Sequence, residues 1–222
     1  MVMFVYLAVD TLFLLVWCIL FLRRKDLRWK MLLASLIVLP FGIVDFSQPS
    51  YWHPPAFFSW PRGMSIEAFI GGFGIGGVAA VLYDEIAKKH LRKFKRKAPS
   101  MLAHLIVPFS VVTCGTVLYF VAGINMMIGL PFGLAIGTLA IGLIRPDLRR
   151  VTLLSSLYFG CLYFLIFFVW LSIFPEARSW WNLEVYGGIS ILGVPFGEVL
   201  FGFLFGAFWG PIFEFCFDYK LR

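Results

Sequence analysis

Long apolar stretches alternate with short charged ones along the whole chain. A helix that crosses a bilayer needs about 20 mostly apolar residues. The pattern predicts seven such spans, at about 2–22, 31–46, 65–83, 101–121, 124–144, 151–174 and 189–213. The second span is short and contains Pro40, so the pattern defines its ends least well. The hydropathy therefore predicts an all-α membrane protein with seven transmembrane helices.

Composition and charge agree with this fold class and predict an orientation. Hydrophobic residues make up 61% of the chain and its mean hydropathy is +0.89, whereas soluble domains are about 45–50% apolar. All of the 19 lysines and arginines except Arg62 and Arg178 fall at 23–30, 84–100, 145–150 or in the C-terminal tail. Because basic residues concentrate on the inner side of a membrane, the N-terminus is predicted outside and the C-terminus inside. This topology accounts for the net charge of +7 without a nucleic-acid partner.

One stretch of sequence occurs twice. LRRKDLRWKMLLASL at 22–36 returns as LIRPDLRRVTLLSSL at 143–157, and Arg24 and Asp26 correspond to Arg145 and Asp147. Farther along, two glycines and a phenylalanine recur at a second constant offset: Gly72, Phe73 and Gly76 match Gly202, Phe203 and Gly206. A match at a fixed offset is the signature of an internal repeat.

The repeats predict the domain organisation. Residues 1–90 form repeat 1 with spans 1–3, and residues 124–222 form repeat 2 with spans 5–7. Residues 91–123 supply a basic inner loop and a linker span. Because one span separates the copies, they insert in the same orientation and are parallel repeats.

Acidic residues within spans are the first candidates for function, because a charge at the centre of a bilayer costs about 2.5–3.5 kcal/mol or more. Four acids fall toward the outer side of their spans: Asp10, Asp45, Glu67 and Glu198. Glu67 shares a helical face with Gly71, and Glu198 shares one with Gly202. Small residues mark faces where helices approach closely, so both glutamates are expected to point into the bundle.

Other polar and sulfur-containing residues suggest structural roles. The acids at the inner ends of the spans have the pattern of interface charges: Asp84, Glu85, Glu214 and Asp218. The four cysteines are expected to be buried thiols, because they lie in or beside spans without a CxxC pair. No disulfide and no metal site is expected.

The stretch RSWWNLEVYGGISILGVPFGEVLF at 178–201 places an aromatic pair shortly before an acidic helix start. Together with the doubled three-span unit, it resembles the small integral-membrane lycopene cyclase family, the two-repeat, heterodimeric-type carotenoid cyclase domain. Where that family has two adjacent glutamates, Glu67 is followed by Ala68 and Glu198 is preceded by Gly197. Each copy therefore keeps one carboxylate of the usual two.

The resemblance implies a redox-neutral, acid-catalysed cyclisation at the end of a carotenoid or related isoprenoid polyene. An acid protonates a terminal double bond, the neighbouring alkene attacks the carbocation, and a base removes a proton. Such chemistry needs a protonated carboxylic acid in an apolar site, aromatic faces near the cation and the exclusion of water. It implies no cofactor, a lipid-soluble substrate, and a multi-pass protein of the cell membrane among membrane lipids. Homo-oligomerisation stays open.

The residues implied for the site come from both predicted repeats. The catalytic candidates are Glu67 and Glu198, with Asp45 orienting or polarising one of them. The candidates for contact with the substrate are an acid and six aromatic residues: Asp10, Tyr51, Trp52, Trp180, Trp181, Phe73 and Phe203. The tryptophans and Tyr51 also suit an aromatic belt at the membrane interface.

A retinal-binding receptor would need a lysine in the last span, and all lysines lie in inner segments, so the sequence does not support this class. Two other classes of function stay open. A non-enzymatic lipid or ion transporter would use the same buried acids as proton carriers, and an isoprenoid-binding membrane protein would use the same apolar faces. A transporter is expected to carry acids across the full membrane depth, whereas the four candidate acids gather on one side.

The predicted orientation can be tested by labelling single cysteines from outside intact cells. Positions 57 and 178 should react with an impermeant reagent, and positions 27, 95 and 147 should not, because the basic segments are predicted inside. Labelling of position 95 from outside would contradict the topology.

Overall fold

The computed structural model describes residues 3–39, 51–56, 65–93 and 125–221, with isolated positions between 107 and 123. Seven α-helices lie in this part of the chain: α1 (Met3–Arg23), α2 (Arg28–Val38), α3 (Ile66–Ile86), α4 (Met126–Ile144), α5 (Arg149–Ile173), α6 (Phe196–Trp209) and α7 (Ile212–Phe217). Four short strands accompany them: β1 (Leu91–Lys93), β2 (Ser190–Ile191), β3 (Val194–Pro195) and β4 (Tyr219–Leu221). Strand β1 pairs with β4 and β2 with β3, both antiparallel.

The prediction of an all-α membrane protein is confirmed. Within the described residues, 5 helical stretches are long and apolar enough to cross a bilayer: Phe4–Arg23, Ile66–Ile86, Met127–Ile144, Pro146–Ile173 and Phe196–Phe217. Helix α2 is 11 residues long and overlaps the predicted second span only at 31–38, and most of the predicted fourth span lies outside the described residues. The count of seven spans and the orientation therefore stay predictions.

The last predicted span begins later than expected. Residues 189–195 include the β2–β3 hairpin rather than a first helical turn, and α6 begins at Phe196. The turn between the strands contains Leu192 and Gly193, both with positive φ (50° and 82°), a backbone conformation that helices do not use. Glu198 is therefore in the first turn of its helix and not deep within a span.

Large apolar side chains cover the outer surfaces of the helices. On α4, residues three and four apart form one exposed stripe of Phe132, Ile136, Leu139 and Leu143, between 50% and 73% exposed. Such a continuous apolar surface is unfavourable in water and matches the interior of a bilayer. Cys18 and Cys161 are exposed as well, so the expectation of buried thiols is wrong for them, because they lie on outward faces of α1 and α5.

The chain forms two compact units. The first comprises Met1–Val78 with Leu162–Val199, and the second comprises Ala79–Cys161 with Leu200–Arg222. Each unit draws residues from both predicted repeats. The assignment of the repeats as domains is a sequence-based prediction that this division leaves open.

The first copy of the doubled sequence forms a tight turn in the first unit. The segment Lys25–Leu27 is a 3-10 turn, and the Arg24 guanidinium donates from Nε and Nη2 to the two carboxylate oxygens of Asp26, at 2.9 and 2.8 Å. The next helix begins at Arg28, whose Nε donates to the carbonyl oxygen of Phe21 at 2.8 Å. A planar guanidinium matches a carboxylate in this bidentate way.

The second copy forms the same turn in the second unit. Pro146–Leu148 is a 3-10 turn, and Arg145 donates to both oxygens of Asp147, each at 2.9 Å. Arg149 donates to the carbonyl of Gly142 at 2.8 Å. The backbone φ and ψ angles are −126° and 74° at Arg145, and −107° and 71° at Arg24, its counterpart in the first copy. The doubled sequence therefore has a local structural cause, an arginine–aspartate turn between two antiparallel helices.

Arg145 makes the denser set of contacts. Its side chain is fully buried, and besides Asp147 it donates to the carbonyls of Glu214 and Tyr219 at 3.2 and 3.1 Å. It also pairs with Asp218 at 3.4 Å. A buried cation is tolerable only when its donors are used in this way, so Arg145 connects the α4–α5 turn to the C-terminal segment.

Glycines permit close helix contacts inside each unit. A Cβ on Gly76 would lie 2.8 Å from the Val38 Cβ and 3.1 Å from the Ala34 carbonyl oxygen. In the second unit, a Cβ on Gly206 would lie 2.9 Å from the Phe159 Cβ and 2.7 Å from the Ser155 carbonyl oxygen. Small residues at such points let helix backbones approach.

The acids at the inner ends differ from the expectation. Asp84 and Glu214 are 1% and 0% exposed, so their description as interface charges is wrong. Glu214 lies in the first turn of the short helix α7, and its carbonyl accepts a hydrogen bond from Arg145. Glu85 does behave as a surface charge, because it pairs with the exposed Lys88 at 3.1 Å.

The Arg145 contacts predict a large effect on stability. Arg145→Ala should lower the free energy of unfolding by about 3 kcal/mol or more, because it leaves the carboxylate and carbonyl acceptors of the buried guanidinium without their donor. Arg150→Ala is the matched control, since Arg150 is exposed and carries the same charge on the same side. Thermal or denaturant unfolding in detergent measures both, and equal losses in the two variants would contradict the buried role of Arg145.

Candidate active site

The carboxylate of Glu198 is held by two aromatic donors from different segments. The Tyr163 hydroxyl of α5 donates to Oε2 at 2.8 Å. The Trp181 indole Nε1–H, from the loop after α5, donates to Oε1 at 3.0 Å. The indole can only donate, so Oε1 acts as an acceptor. Both carboxylate oxygens are thereby fixed in the first unit.

Two further phenols surround this carboxylate. The Tyr51 hydroxyl is buried beside Glu198 but makes no hydrogen bond of good geometry to any described residue. Burial, followed by the charge of Glu198, raises the pKa of both Tyr51 and Tyr186. Their rings meet edge to face at 5.8 Å. Both phenols therefore stay protonated and can donate to an anion.

Gly197 makes room for these two tyrosines. A Cβ at this position would overlap the Tyr51 hydroxyl and lie 2.9 Å from the Tyr186 Cδ2. This is the position where the resemblance led us to expect a second glutamate. The tyrosine rings fill the space beside Gly197, so a larger side chain at this position, such as the second glutamate of the family pattern, would clash with them.

The two aromatic pairs of the predicted outer loops lie against each other. Trp52 and Trp181 form an antiparallel bridge, the Asn182 N–H donates to the Tyr51 carbonyl at 2.8 Å, and the His53 N–H donates to the Trp180 carbonyl at 2.9 Å. The Trp52 and Trp181 rings are 4.0 Å apart. This short ladder brings the predicted substrate-contacting residues of both loops beside Glu198.

A layer of aromatic rings continues from the ladder into α5. The ring centroid of Trp181 lies 6.1 Å from those of both Phe167 and Trp170, and the Trp170 and Trp180 ring centroids are 5.8 Å apart. The Trp170 Nε1–H donates to the Val5 carbonyl at 2.9 Å, which joins α5 to α1. The carboxylate of Glu198 is thus at the edge of a layer of aromatic rings, and the faces of such rings stabilise a nearby cation.

A second pair of acids lies where α1 meets α3. Asp10 is 5% exposed and Glu67 is 1% exposed. A Cβ on Gly71 would overlap the Oδ1 of Asp10, and Glu67 is one helical turn before Gly71 on the same face. Cβ atoms at this spacing are about 6 Å apart, so Glu67 lies on the face of α3 that packs against Asp10. The expectation that Glu67 points into the bundle agrees with its burial.

Local sequence explains how α3 presents Glu67. The Ser65 Oγ accepts from the Ala68 N–H at 3.2 Å, which is the normal N-cap contact of a serine. The cap starts the helix at Ile66 and places Glu67 in its first turn. Glu198 is in the first turn of α6 as well, so the two glutamates occupy similar helical positions.

The other predicted site residues have different surroundings. Asp45 lies outside the described residues. Phe73 packs on Trp17 at 5.1 Å in the first unit, whereas Phe203 belongs to the second unit, where its ring lies against Gly160. Asp84 and Glu214 are buried as well, in the second unit. The clustering of the four candidate acids toward one side of the membrane stays a prediction.

Tyr163 and Tyr186 are site residues that the sequence analysis missed. Tyr163 lies in an apolar run of α5, where its neighbours suggest contact with lipid or core. The available signal is the hydroxyl itself, since a buried tyrosine usually needs a hydrogen-bond partner. That signal predicts a partner without saying which one.

The described residues contain no group of three or more potential metal ligands of the His, Cys, Asp and Glu type. What they bring together is carboxyl groups, phenols and indoles. This set can donate and accept protons and can stabilise positive charge, which is the chemistry of acid–base catalysis on an apolar substrate.

Comparison with known proteins points to one family. The model of the lycopene cyclase family matches residues 125–216, which cover most of the predicted second repeat and include Tyr163, Trp181 and Glu198. No curated protein and no solved structure gives a significant match. Over residues 125–216, the resemblance to the lycopene cyclases is confirmed.

Proposed function

We propose that this chain is a carotenoid cyclase-like membrane enzyme that closes a ring at the end of a long isoprenoid polyene. The observation that carries the proposal is the carboxylate of Glu198, held by Tyr163 and Trp181 within a layer of aromatic rings. The family match over residues 125–216 supports the same substrate class. The reaction is an isomerisation, so it consumes no oxidant and no reductant.

The first step assigns the proton donor to the neighbouring pair Asp10 and Glu67. Burying two carboxylates side by side is costly unless a proton is held between them. That proton adds to a terminal double bond of the polyene, whose π electrons form the new C–H bond. The neighbouring double bond then attacks the carbocation and closes the ring.

The last step assigns the base to Glu198. Its two aromatic donors are placed to stabilise the negative charge that a free base carries, because hydrogen bonds to a carboxylate stabilise its ionised form. It removes a proton from a carbon next to the cation, and the C–H electron pair becomes the ring double bond. Until then the Trp181 and Trp52 rings stabilise the cation, and the ladder of the two loops limits the entry of water.

Glutamine variants test the acid and base roles. Glu67→Gln and Glu198→Gln should each lower product formation by about 10²–10⁴-fold, the usual contribution of acid–base catalysis. Glutamine keeps the size of the side chain but cannot transfer the proton. Purified protein in lipid is supplied with lycopene and related polyenes without cofactors, and cyclised isomers of unchanged mass are measured.

Glu176→Gln is the control for these variants, because Glu176 is an exposed acid in the loop after α5, and it should keep wild-type activity. Identical product patterns from wild type and both site variants would refute the acid–base assignment. Asp45→Asn should have a smaller effect than either, if Asp45 only orients or polarises one of the glutamates.

Variants of two neighbouring tryptophans distinguish the contribution of the hydrogen bond to Glu198 from that of aromatic packing. Trp181→Phe removes the donor to Glu198 and keeps an aromatic ring, so activity should fall about tenfold or more, the value of a hydrogen bond to a charged group. Trp180→Phe makes the same change of ring in the same cluster, where Trp180 contacts Trp52 and Trp170. It should retain most of the activity, and equal losses in the two variants would mean that ring size alone matters.

A further inference from the structure

We infer that Tyr163 is the proton relay that resets the site after each ring closure, by passing the proton taken up by Glu198 back toward Asp10. The inference rests on the proposed function, because it names how the acid and the base of that reaction are coupled. No sequence motif and no family match assigns a role to this residue.

The need for a relay follows from the proton balance. One turnover removes a proton from the acid pair and adds one to Glu198, while the substrate gains and loses one proton in total. The product is therefore neutral, but the protein ends with its proton on the wrong carboxyl group. A buried site without easy access to water needs an internal path to restore the starting state.

Two contacts connect Tyr163 to Glu198 and to the helix that carries Asp10. Its hydroxyl donates a hydrogen bond to Glu198 at 2.8 Å, and its ring packs on Phe13 of α1, with the ring centroids 5.3 Å apart. Phe13 is three residues after Asp10, so both lie on the same face of α1. Tyr163 is thus hydrogen-bonded to one carboxylate and packs on the helix face that carries the other.

The transfer requires no net chemical change in Tyr163. The protonated Glu198 gives its O–H proton to the phenol oxygen while the phenol gives its own proton toward the Asp10 carboxylate. One O–H bond breaks and one forms on the tyrosine, so it ends neutral. A hydroxyl can both donate and accept, which phenylalanine cannot do and the indole of Trp181 cannot do.

The test separates ring closure from resetting. Under single turnover, with protein in excess over polyene, Tyr163→Phe should slow by about as much as Trp181→Phe, because each variant loses one donor to Glu198. Under multiple turnover Tyr163→Phe should slow by about a further tenfold or more, because the acid pair must then regain its proton from water. In D₂O the variant should place close to one deuterium in each new ring, and wild type should place fewer, since it recycles substrate protons.

Two other tyrosines serve as controls. Tyr51→Phe removes a phenol beside the same carboxylate, yet Tyr51 interacts with Glu198 and Tyr186 rather than with Asp10, so it should change both kinetic regimes by the same factor. Tyr158→Phe, which alters a ring stacked on Tyr83 in the second unit, should leave both unchanged.

The outcomes distinguish the relay from the function on which it rests. If wild type cyclises polyenes but Tyr163→Phe slows both regimes alike, or leaves the deuterium content unchanged, Tyr163 only positions Glu198 and the relay is wrong. If wild type converts no polyene, the proposed function falls and the relay falls with it.

Discussion

A carboxyl group inside an apolar helix bundle must either keep its proton or receive strong hydrogen-bond donors, because an uncompensated buried charge is too costly. The first unit buries acids at two places. Glu198 receives the Tyr163 hydroxyl and the Trp181 indole, whereas Asp10 and Glu67 are buried at the contact between α1 and α3. The proposed reaction uses the second place as the proton donor and Glu198 as the acceptor, within one compact unit.

The same constraint explains the two arginine–aspartate turns. Arg24 and Arg145 are each fixed by an aspartate two residues later, and Arg145 is satisfied further by the C-terminal segment. These turns neutralise the charges that the positive-inside pattern places at the helix ends. The repeated sequence therefore serves a structural purpose, and the residues of the proposed chemistry lie elsewhere, at the starts of α3 and α6.

The sequence predicted the parts of this architecture that depend on composition and periodicity. Long apolar runs identified the helices, and Gly71, which the sequence placed on a close-contact face, lies against Asp10 of α1. The start of α6 was misplaced because residues 189–195 are as apolar as a span, although Gly193 and its neighbour turn the chain into a hairpin. Hydropathy does not distinguish a short apolar hairpin from a helical turn.

The candidate site was only partly predictable for a related reason. Glu67, Glu198 and the tryptophans stand out because charge and aromatic pairs are conspicuous against an apolar background. Tyr163 does not, since its role depends on a contact with a residue 35 positions away. The burial of Asp84 and Glu214 was missed because a flanking lysine or arginine suggests the membrane surface, whereas the fold of the C-terminal segment around Arg145 encloses Glu214.

The central claim is that this chain closes rings on polyenes. The pigment profile of a lycopene-accumulating cell that expresses the intact chain tests it most directly. The account predicts new pigments of the same mass as lycopene, with one or two cyclic ends and one carbon–carbon double bond fewer for each ring closed. Lycopene alone, in cells whose membranes contain the folded protein, would contradict it.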